Sequence, residues 1–178
     1  MKYIINIIIL SIMIVTMGCE TSTDPKDKDD NEDVRSYSTA NVKETTDYFR
    51  FSSNSGSTNA NSDHDVVFYS EDWQPPGAPI TIKDPRFKSK NGLSIAVINN
   101  TNLEDLDDVP DSANFIANFV SELGEWYYTT EANLILPYEK VYIVNTTDGE
   151  FPAFQIISYY DEEGESGVFN IKWKYLDD

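Results

Sequence analysis

The chain has 178 residues, of which 31 are acidic and 13 are basic, so its net charge at pH 7 is −18. A surface this negative repels phosphate backbones, which excludes a nucleic-acid-binding protein and any charge-based attachment to an anionic membrane. One cysteine and one histidine are present. An internal disulfide is therefore excluded, and the inventory of catalytic side chains is too poor to suggest an enzyme.

The first 18 residues have the features of an export signal. Lys2 precedes the apolar run IINIIILSIMIV, which is shorter than the roughly 20 residues of a membrane-spanning helix. A cleaved signal peptide is therefore predicted. Gly18-Cys19 at its end predicts a bacterial lipoprotein signal with the lipid on Cys19. The alternative is an ordinary signal peptide followed by an incidental cysteine.

Residues 19–39 are predicted to form an acidic, disordered tether between the lipid and a single domain at 40–178. The tether holds almost no apolar residues and many like charges, so it cannot bury enough surface to offset its ordering entropy. Asp27, Asp29 and Asn31 have some of the spacing of an EF-hand loop, but Glu32 stands where that loop needs glycine. A calcium loop is therefore the disfavoured alternative.

The first half of the domain predicts short strands and long polar loops. Strands are predicted at 48–52 and 64–70, and the alternation of the second places His64, Val66 and Phe68 on one face. Four prolines between residues 71 and 92 exclude a central strand and predict an irregular segment with an edge strand at 80–82. A short buried strand is predicted at 94–98.

One helix is predicted, at about 112–123, with Gly124 ending it. Its apolar residues recur at helical spacing and are interpreted as core packing. They are Phe115, Ile116, Phe119, Val120 and Leu123. A further strand is predicted at 125–129.

The C-terminal stretch, residues 138–176, has the strongest pattern in the chain. Three runs of alternating β-branched and aromatic residues are separated by Asp148-Gly149 and by the loop DEEGESG. Asp-Gly readily adopts the positive φ of tight hairpins. The pattern predicts an antiparallel meander with one packed and one wet face, in which Ile156, Ser158 and Tyr160 share a face. The fold class is therefore mainly β, with antiparallel sheets and one short helix.

This stretch, VYIVNTTDGEFPAFQIISYY followed by GESGVFNIKWKYL, resembles the end of the HmuY-like family of bacterial haem-binding surface lipoproteins. SDHDVVFY at 62–69 is similar to an internal strand of that family, with His64 where tryptophan is usual. DYFRFSS at 47–53 resembles the strand that opens the family domain. The resemblance implies an HmuY-like all-β domain that captures haem or a related porphyrin for iron acquisition. It also implies transfer to an outer-membrane transporter, and an anchor in the outer membrane facing the cell exterior.

Protein ligands to haem iron are histidine, methionine, cysteine or tyrosine. The family usually supplies histidine or methionine from its middle region, but here residues 70–125 contain neither and every methionine lies in the signal. No axial ligand is therefore transferred from the family. The candidates that remain are His64, interpreted as more often structural, and the tyrosines Tyr69, Tyr127, Tyr128 and Tyr138. The only basic cluster of the domain supplies candidate partners for the haem propionates, namely Lys83, Arg86, Lys88 and Lys90.

Two other interpretations stay open. The missing histidine and methionine ligands favour a non-haem recognition or adhesion module on the same β scaffold, since a fold does not fix a function. The acidic loops at 104–111 and 161–165 can in principle offer oxygen ligands to calcium, although solubilising charge is the simpler interpretation. No other metal site and no catalytic residue is predicted.

Overall fold

The computed structural model describes residues 34–178, so the predicted signal peptide, Cys19 and residues 20–33 of the predicted tether lie outside the described residues. Within residues 34–178 the structure consists of β-strands and turns, with one 3₁₀ turn at Leu103–Asp105. The strands are β1 (Arg35–Ser38), β2 (Asp47–Arg50), β3 (Ser55–Ser57), β4 (Val66–Trp73), β5 (Ile82–Ser89), β6 (Ser94–Asn99), β7 (Ile116–Ala117), β8 (Tyr127–Thr129), β9 (Ile135–Pro137), β10 (Lys140–Asn145), β11 (Phe151–Tyr160) and β12 (Ser166–Leu176). No helix in this part of the chain is long and apolar enough to cross a membrane.

The strands form two antiparallel sheets and a separate hairpin. A six-stranded sheet has the order β1-β12-β11-β10-β6-β7, a four-stranded sheet has the order β3-β2-β4-β5, and β8 pairs only with β9. The two sheets share an aromatic core because alternate side chains of each sheet point inward. Phe68 and Phe87, opposite each other in the small sheet, are at most 1% exposed. The ring of Phe68 lies 5.0 Å from that of Phe169 in the large sheet, within the usual range of favourable aromatic pairs.

The predicted meander is confirmed as β10, β11 and β12, which are neighbours in the large sheet. Gly149 has a φ of 78° in the turn between β10 and β11, as the Asp-Gly signal predicts. The predicted alternation of β11 is wrong beyond Ile157, because the register shifts between Ile156 and Ser158. Such a bulge inserts one residue and reverses the facing of those that follow. Ile157 is 43% exposed, opposite Ile156 as predicted, but Tyr159 is fully buried.

The prediction of one wet face for the meander is also wrong over much of its outer side. Val141, Ile143 and Ala153 on that side are fully buried in a second apolar cluster. Leu103 belongs to this cluster, and partly buried side chains from 106–115 pack against it. Lys174 is only 6% exposed, and its ammonium lies 3.2 Å from a carboxylate oxygen of Asp107. The unbroken apolar run at 141–144 is typical of a strand buried on both faces, but the pattern does not show which segment covers the outer face.

The predicted helix at 112–123 does not form. This segment contains β7, which pairs with β6, and Val120, which forms a β-bridge with Lys88. Of its apolar residues only Phe119 is fully buried, while Ile116, Val120 and Leu123 are 50%, 45% and 41% exposed. The backbone N–H groups bond across strands instead, for example from Ser121 to the carbonyl of Phe87. Pairing with existing sheet edges therefore outweighs a weak helical preference.

The strand boundaries in the small sheet also differ from those predicted. β4 begins at Val66, after His64, and the edge strand predicted at 80–82 begins at Ile82 and extends to Ser89. β5 tolerates Pro85 because it lies at the edge of the small sheet.

Residues 35–38, which the sequence prediction assigns to the tether, form β1 against β12. The guanidinium of Arg35 lies 4.8 Å from the centre of the Trp173 ring. The hydroxyl of Tyr37 donates to both oxygens of Asp47, at 3.0 and 2.8 Å. Asp47 is 3% exposed and also accepts from the Ala40 N–H at 2.8 Å. β1 is therefore held to both sheets.

Gly56 in β3 packs directly on this contact. A Cβ atom at Gly56 would overlap the Tyr37 hydroxyl and Oδ1 of Asp47. We expect Gly56→Ala to lower the free energy of unfolding by about 2 kcal/mol, because it overpacks a buried hydrogen bond. Urea unfolding measures the change. Ser55→Ala, at an exposed position of the same strand, is the control and should stay within about 0.5 kcal/mol of the wild type; equal effects of the two substitutions would contradict this role.

Candidate functional site

The β8–β9 hairpin has one buried and one exposed face. Tyr127 lies opposite Pro137, and Tyr128 lies opposite Leu136. Since side chains alternate along a strand, Tyr128 shares a face with Leu134, Leu136 and Tyr138. Tyr128, Leu134 and Tyr138 are 43%, 48% and 44% exposed. These four side chains are called the hairpin face below.

The opposite face of the hairpin is fixed to the body of the domain. The N–H of Ile135 donates to the hydroxyl of Tyr160, at the end of β11, at 2.8 Å. The hydroxyl of Tyr127 donates to Oδ1 of Asp84 at 3.0 Å, and the indole N–H of Trp126 donates to the Pro85 carbonyl at 2.9 Å. The hairpin therefore presents its apolar, aromatic face to solvent from a rigid base.

Two of the predicted tyrosines are brought together on this face. The rings of Tyr128 and Tyr138 have centroids 5.3 Å apart with a 42° interplanar angle. The ammonium of Lys140 lies 5.3 Å from the centre of the Tyr138 ring and donates to the Glu125 carbonyl. An exposed aromatic pair with an adjacent cation can stack on a flat conjugated ligand and pair with its acidic groups.

The other predicted ligands lie elsewhere. Tyr127 is 7% exposed, and burial and the neighbouring Asp84 raise the pKa of its hydroxyl well above its usual range. Tyr69 lies opposite Arg86 in the small sheet with the Lys88 ammonium 5.1 Å from its ring centre, and burial raises its pKa as well. A raised pKa opposes the phenolate form that binds iron. Tyr128 and Tyr138 are therefore the better-placed tyrosines.

His64 is not near the hairpin face. Its Nδ1 lies 2.8 Å from the Ser62 carbonyl, and its ring meets that of Tyr48 edge-on at 5.0 Å. His64 precedes β4, whereas the hairpin packs at Asp84, opposite Glu71 farther along β4. At about 3.3 Å per residue this separation is roughly 20 Å along the strand. His64 and the tyrosine pair cannot contact one small ligand in this arrangement.

The predicted basic cluster lies on or just after β5 and is largely engaged. Lys83 pairs with Asp72 at 2.7 Å, Arg86 pairs with Asp84 at 2.7 Å and with Glu71 at 3.3 Å, and Lys90 pairs with Asp63 at 2.8 Å. Lys88 lies over the Tyr69 ring. Any acidic ligand group would compete with these carboxylates, so a role of the cluster in propionate binding stays a prediction.

Some of the acidic residues that motivated the calcium alternative have side-chain contacts within the protein. Glu104 pairs with Lys172 at 3.0 Å, Asp107 pairs with Lys174, and Oδ1 of Asp161 accepts from the N–H groups of Glu163 and Glu165 at 3.1 and 2.7 Å. Within residues 34–178, no three His, Cys, Asp or Glu side chains are grouped closely enough to hold a metal ion.

Sequence reasoning missed Leu134, Leu136 and Lys140 as members of the site. The available signal was the run NLILPYEK, in which a short apolar segment before Pro137 follows a predicted strand containing two tyrosines. A short apolar run placed in this way is consistent with the second strand of a hairpin. It does not show which face the domain covers.

The side chains that can donate to iron decide whether this site suits haem. Within residues 34–178 there is no methionine, the one histidine is hydrogen-bonded at the far end of β4, and tyrosine is an established haem ligand. The hairpin face offers two exposed phenol groups, apolar contact and a cation. These residues suit a porphyrin that is stacked on the surface and coordinated by tyrosine.

Comparison with known proteins gives a family. The sequence model described as HmuY protein matches residues 18–175. No curated protein sequence matches the chain significantly.

Several solved structures share the fold at low identity. A predicted lipoprotein of Bacteroides fragilis NCTC 9343 matches with a TM-score of 0.59 and 13% identity, over 83% of this chain and 92% of that chain. A predicted HmuY-like haem-binding protein of Bacteroides vulgatus ATCC 8482 matches with a TM-score of 0.50 and 11% identity, over 82% and 93%. The apo HmuY analogue of Tannerella forsythia matches with a TM-score of 0.53 and 9% identity, over 82% and 96%. The mainly β, antiparallel fold is thus the one expected from the sequence, and the chain belongs to the HmuY family.

Proposed function

We propose that this chain is a lipid-anchored surface protein that captures haem or a related porphyrin on the hairpin face. The observation that carries the proposal is the exposed pair of Tyr128 and Tyr138 on an otherwise apolar strand face. Exposed apolar patches of this kind mark binding sites more often than chance. Family membership supplies the class of ligand, since a structural neighbour is described as an HmuY-like haem-binding protein.

Each group of the hairpin face has a distinct role in this proposal. Leu134 and Leu136 contact the apolar porphyrin ring and exclude water from it. The oxygen of Tyr128 or Tyr138, with its proton released to solvent, would hold the iron, and the other ring would stack on the macrocycle. Lys140 pairs with a propionate. Bound haem supplies the iron and the chromophore, and this chain performs no catalysis.

The placement of the hairpin suits capture at a distance from the anchor. β1 begins at Arg35, which lies opposite Trp173 in β12. Trp173 is near the end of β12, and at that end Leu176 pairs with Phe151 at the start of β11. The hairpin packs on Tyr160 at the other end of β11. Trp173 also lies opposite Phe154, and the stretch of β11 from Phe154 to Tyr160 spans roughly 20 Å. In this proposal the lipid on Cys19 anchors the chain in the outer membrane, and the captured haem passes to a transporter in the same membrane.

A titration of ferric haem into the chain from residue 19, with Cys19→Ser to omit the lipid, tests the proposal. We expect a saturable Soret shift at one haem per protein and a charge-transfer band typical of phenolate ligation. Zinc protoporphyrin should bind more weakly, because zinc interacts less strongly with a phenolate than ferric iron does. A non-saturating, featureless titration would reject haem capture.

The second candidate is a surface recognition or adhesion module on the same scaffold. The observation that favours it is the absence of methionine from residues 34–178, together with the position of the one histidine, His64, away from the hairpin face. The same hairpin face would then contact a protein. This candidate predicts no porphyrin binding but a loss of partner binding when Leu134 is replaced by a charged residue.

A further inference from the structure

The turn that joins β5 to β6 contains the only Asn-Gly pair in the sequence, at Asn91 and Gly92. Both residues are exposed to solvent. The Leu93 N–H donates to the Lys90 carbonyl at 3.0 Å, and Gly92 has a φ of 93°. These features fit a type II β-turn with Asn91 at its second position and Gly92 at its third. The pair therefore lies in the connection between the small and the large sheet.

Asparagine followed by glycine is the dipeptide most prone to deamidation, because glycine has no side chain to shield its backbone nitrogen. In this reaction the Gly92 nitrogen attacks the side-chain carbonyl carbon of Asn91. An N–C bond forms, the attacking nitrogen loses its proton, and the side-chain nitrogen leaves as ammonia. Solvent water then opens the cyclic imide at either of its two carbonyls. The product is aspartate or isoaspartate, and no oxidant or cofactor is needed.

The native structure holds the attacking nitrogen in a hydrogen bond. The Gly92 N–H donates to Oδ1 of Asn118 at 2.9 Å. Asn118 directly follows β7, and its own N–H donates to the Leu93 carbonyl at 2.9 Å. Its φ of 51° is one that asparagine adopts more readily than most residues. Attack on Asn91 requires the Gly92 nitrogen to leave both this bond and the turn conformation, so the rate of deamidation depends on local opening.

Deamidation would change both the charge and the backbone length of this connection. A carboxylate in place of the Asn91 amide makes the net charge of −18 more negative by one unit. Isoaspartate also adds one carbon atom to the backbone between Lys90 and Leu93, which the turn hydrogen bond joins. Leu93 is 3% exposed, and its carbonyl accepts from Asn118. The longer backbone would therefore disturb the contact between the start of β6 and the residue that follows β7.

We infer that Asn91 is a site of spontaneous deamidation and that the Asn118 side chain restrains the reaction by binding the Gly92 N–H. Opening of this contact controls how fast the protein accumulates aspartate and isoaspartate at the junction of its two sheets. The modification is independent of porphyrin capture, because the turn contains no residue of the hairpin face.

Incubation of the chain from residue 19, with Cys19→Ser, at mildly alkaline pH tests the inference. Peptide mapping by mass spectrometry locates each deamidation, and isoaspartyl methyltransferase labels isoaspartate. We expect conversion at Asn91 before any other asparagine. Asn118→Gly keeps a residue that tolerates positive φ but removes the acceptor, so the rate at Asn91 should rise about fivefold. Asn118→Asp retains an acceptor oxygen and should leave the rate no higher than that of the wild type.

Two references separate this restraint from a general loss of structure. Asn61 is exposed and precedes a serine in the connection between β3 and β4, and its rate should be equal in the wild type and in Asn118→Gly. The free peptide of residues 87–96 should convert faster than the folded chain. First conversion at another asparagine, an unchanged rate at Asn91 in Asn118→Gly, or a folded chain as fast as the peptide would overturn the inference. Equal acceleration at Asn61 and Asn91 would show global opening and overturn it as well.

Discussion

Replacing both Tyr128 and Tyr138 with phenylalanine is expected to raise the Kd for ferric haem at least about 100-fold. The substitution keeps both rings, and hence the apolar stacking surface, but removes every phenol oxygen from the hairpin face. Loss of a group that merely supports a metal ligand typically weakens metal binding 10- to 100-fold, so loss of the ligand itself should cost more. The phenolate charge-transfer band should disappear.

The contrast with zinc protoporphyrin makes this prediction specific. Because stacking on the two rings remains, the affinity for zinc protoporphyrin should change only a few-fold. Tyr69→Phe is the matched control, since Tyr69 is a half-buried tyrosine of the small sheet beside the basic cluster. If Tyr69→Phe removed the charge-transfer band while the double variant retained it, the iron ligand would lie on the small sheet and not on the hairpin.

Asp84→Ala is expected to lower the free energy of unfolding by about 3 kcal/mol, near the lower end of the cost of breaking a buried charge pair. The Asp84 side chain is 0% exposed and pairs with Arg86 Nε at 2.7 Å. It also accepts the Tyr127 hydroxyl at 3.0 Å. Alanine leaves that hydroxyl without a partner and loosens the base of the hairpin. The expected loss in free energy of unfolding lies at the lower end of that range because Arg86 is partly exposed and keeps its ion pair with Glu71 at 3.3 Å.

The control is Asp72→Ala, the same substitution in the neighbouring strand. The Asp72 side chain is 65% exposed and pairs only with Lys83, and exposed ion pairs contribute about 0–1 kcal/mol. Urea unfolding of both variants gives the comparison. A loss at Asp84 no larger than the loss at Asp72 would mean that the Asp84–Tyr127 contact does not hold the hairpin in place.

The sheet-forming part of the fold was predictable because local pattern and tertiary environment agree there. β12 alternates along its length, the turns that join β10, β11 and β12 contain glycine, and the inward residues of these strands meet the second sheet. The segment at 112–123 was not predictable, since the spacing of Phe115, Phe119 and Leu123 fits a helix while the free backbone groups of β5 and β6 offer strand pairing. Sequence periodicity does not show where the edges of β5 and β6 lie in the folded domain.

The candidate site was predictable in its residue types but not in its grouping. Tyrosine remained as a candidate ligand beside His64 because the domain contains no methionine and only one histidine, which is a matter of inventory. Tyr127, Tyr128 and Tyr138 were equivalent in the sequence, and only the pairing of β8 with β9 places two of them on one face and buries the third. The basic residues of β5 similarly gave no sign that Lys83 and Arg86 pair with Asp72 and Glu71 of β4.

The central claim is that the hairpin face is the porphyrin-binding surface, and paramagnetic broadening by ferric haem tests it directly. Amide NMR spectra of the chain are compared at increasing substoichiometric ferric haem, with zinc protoporphyrin as the diamagnetic reference. We expect the signals of residues 127–140 to broaden first, while those of residues 62–66 around His64 persist. Early broadening around His64, or uniform broadening across the domain, would contradict the claim.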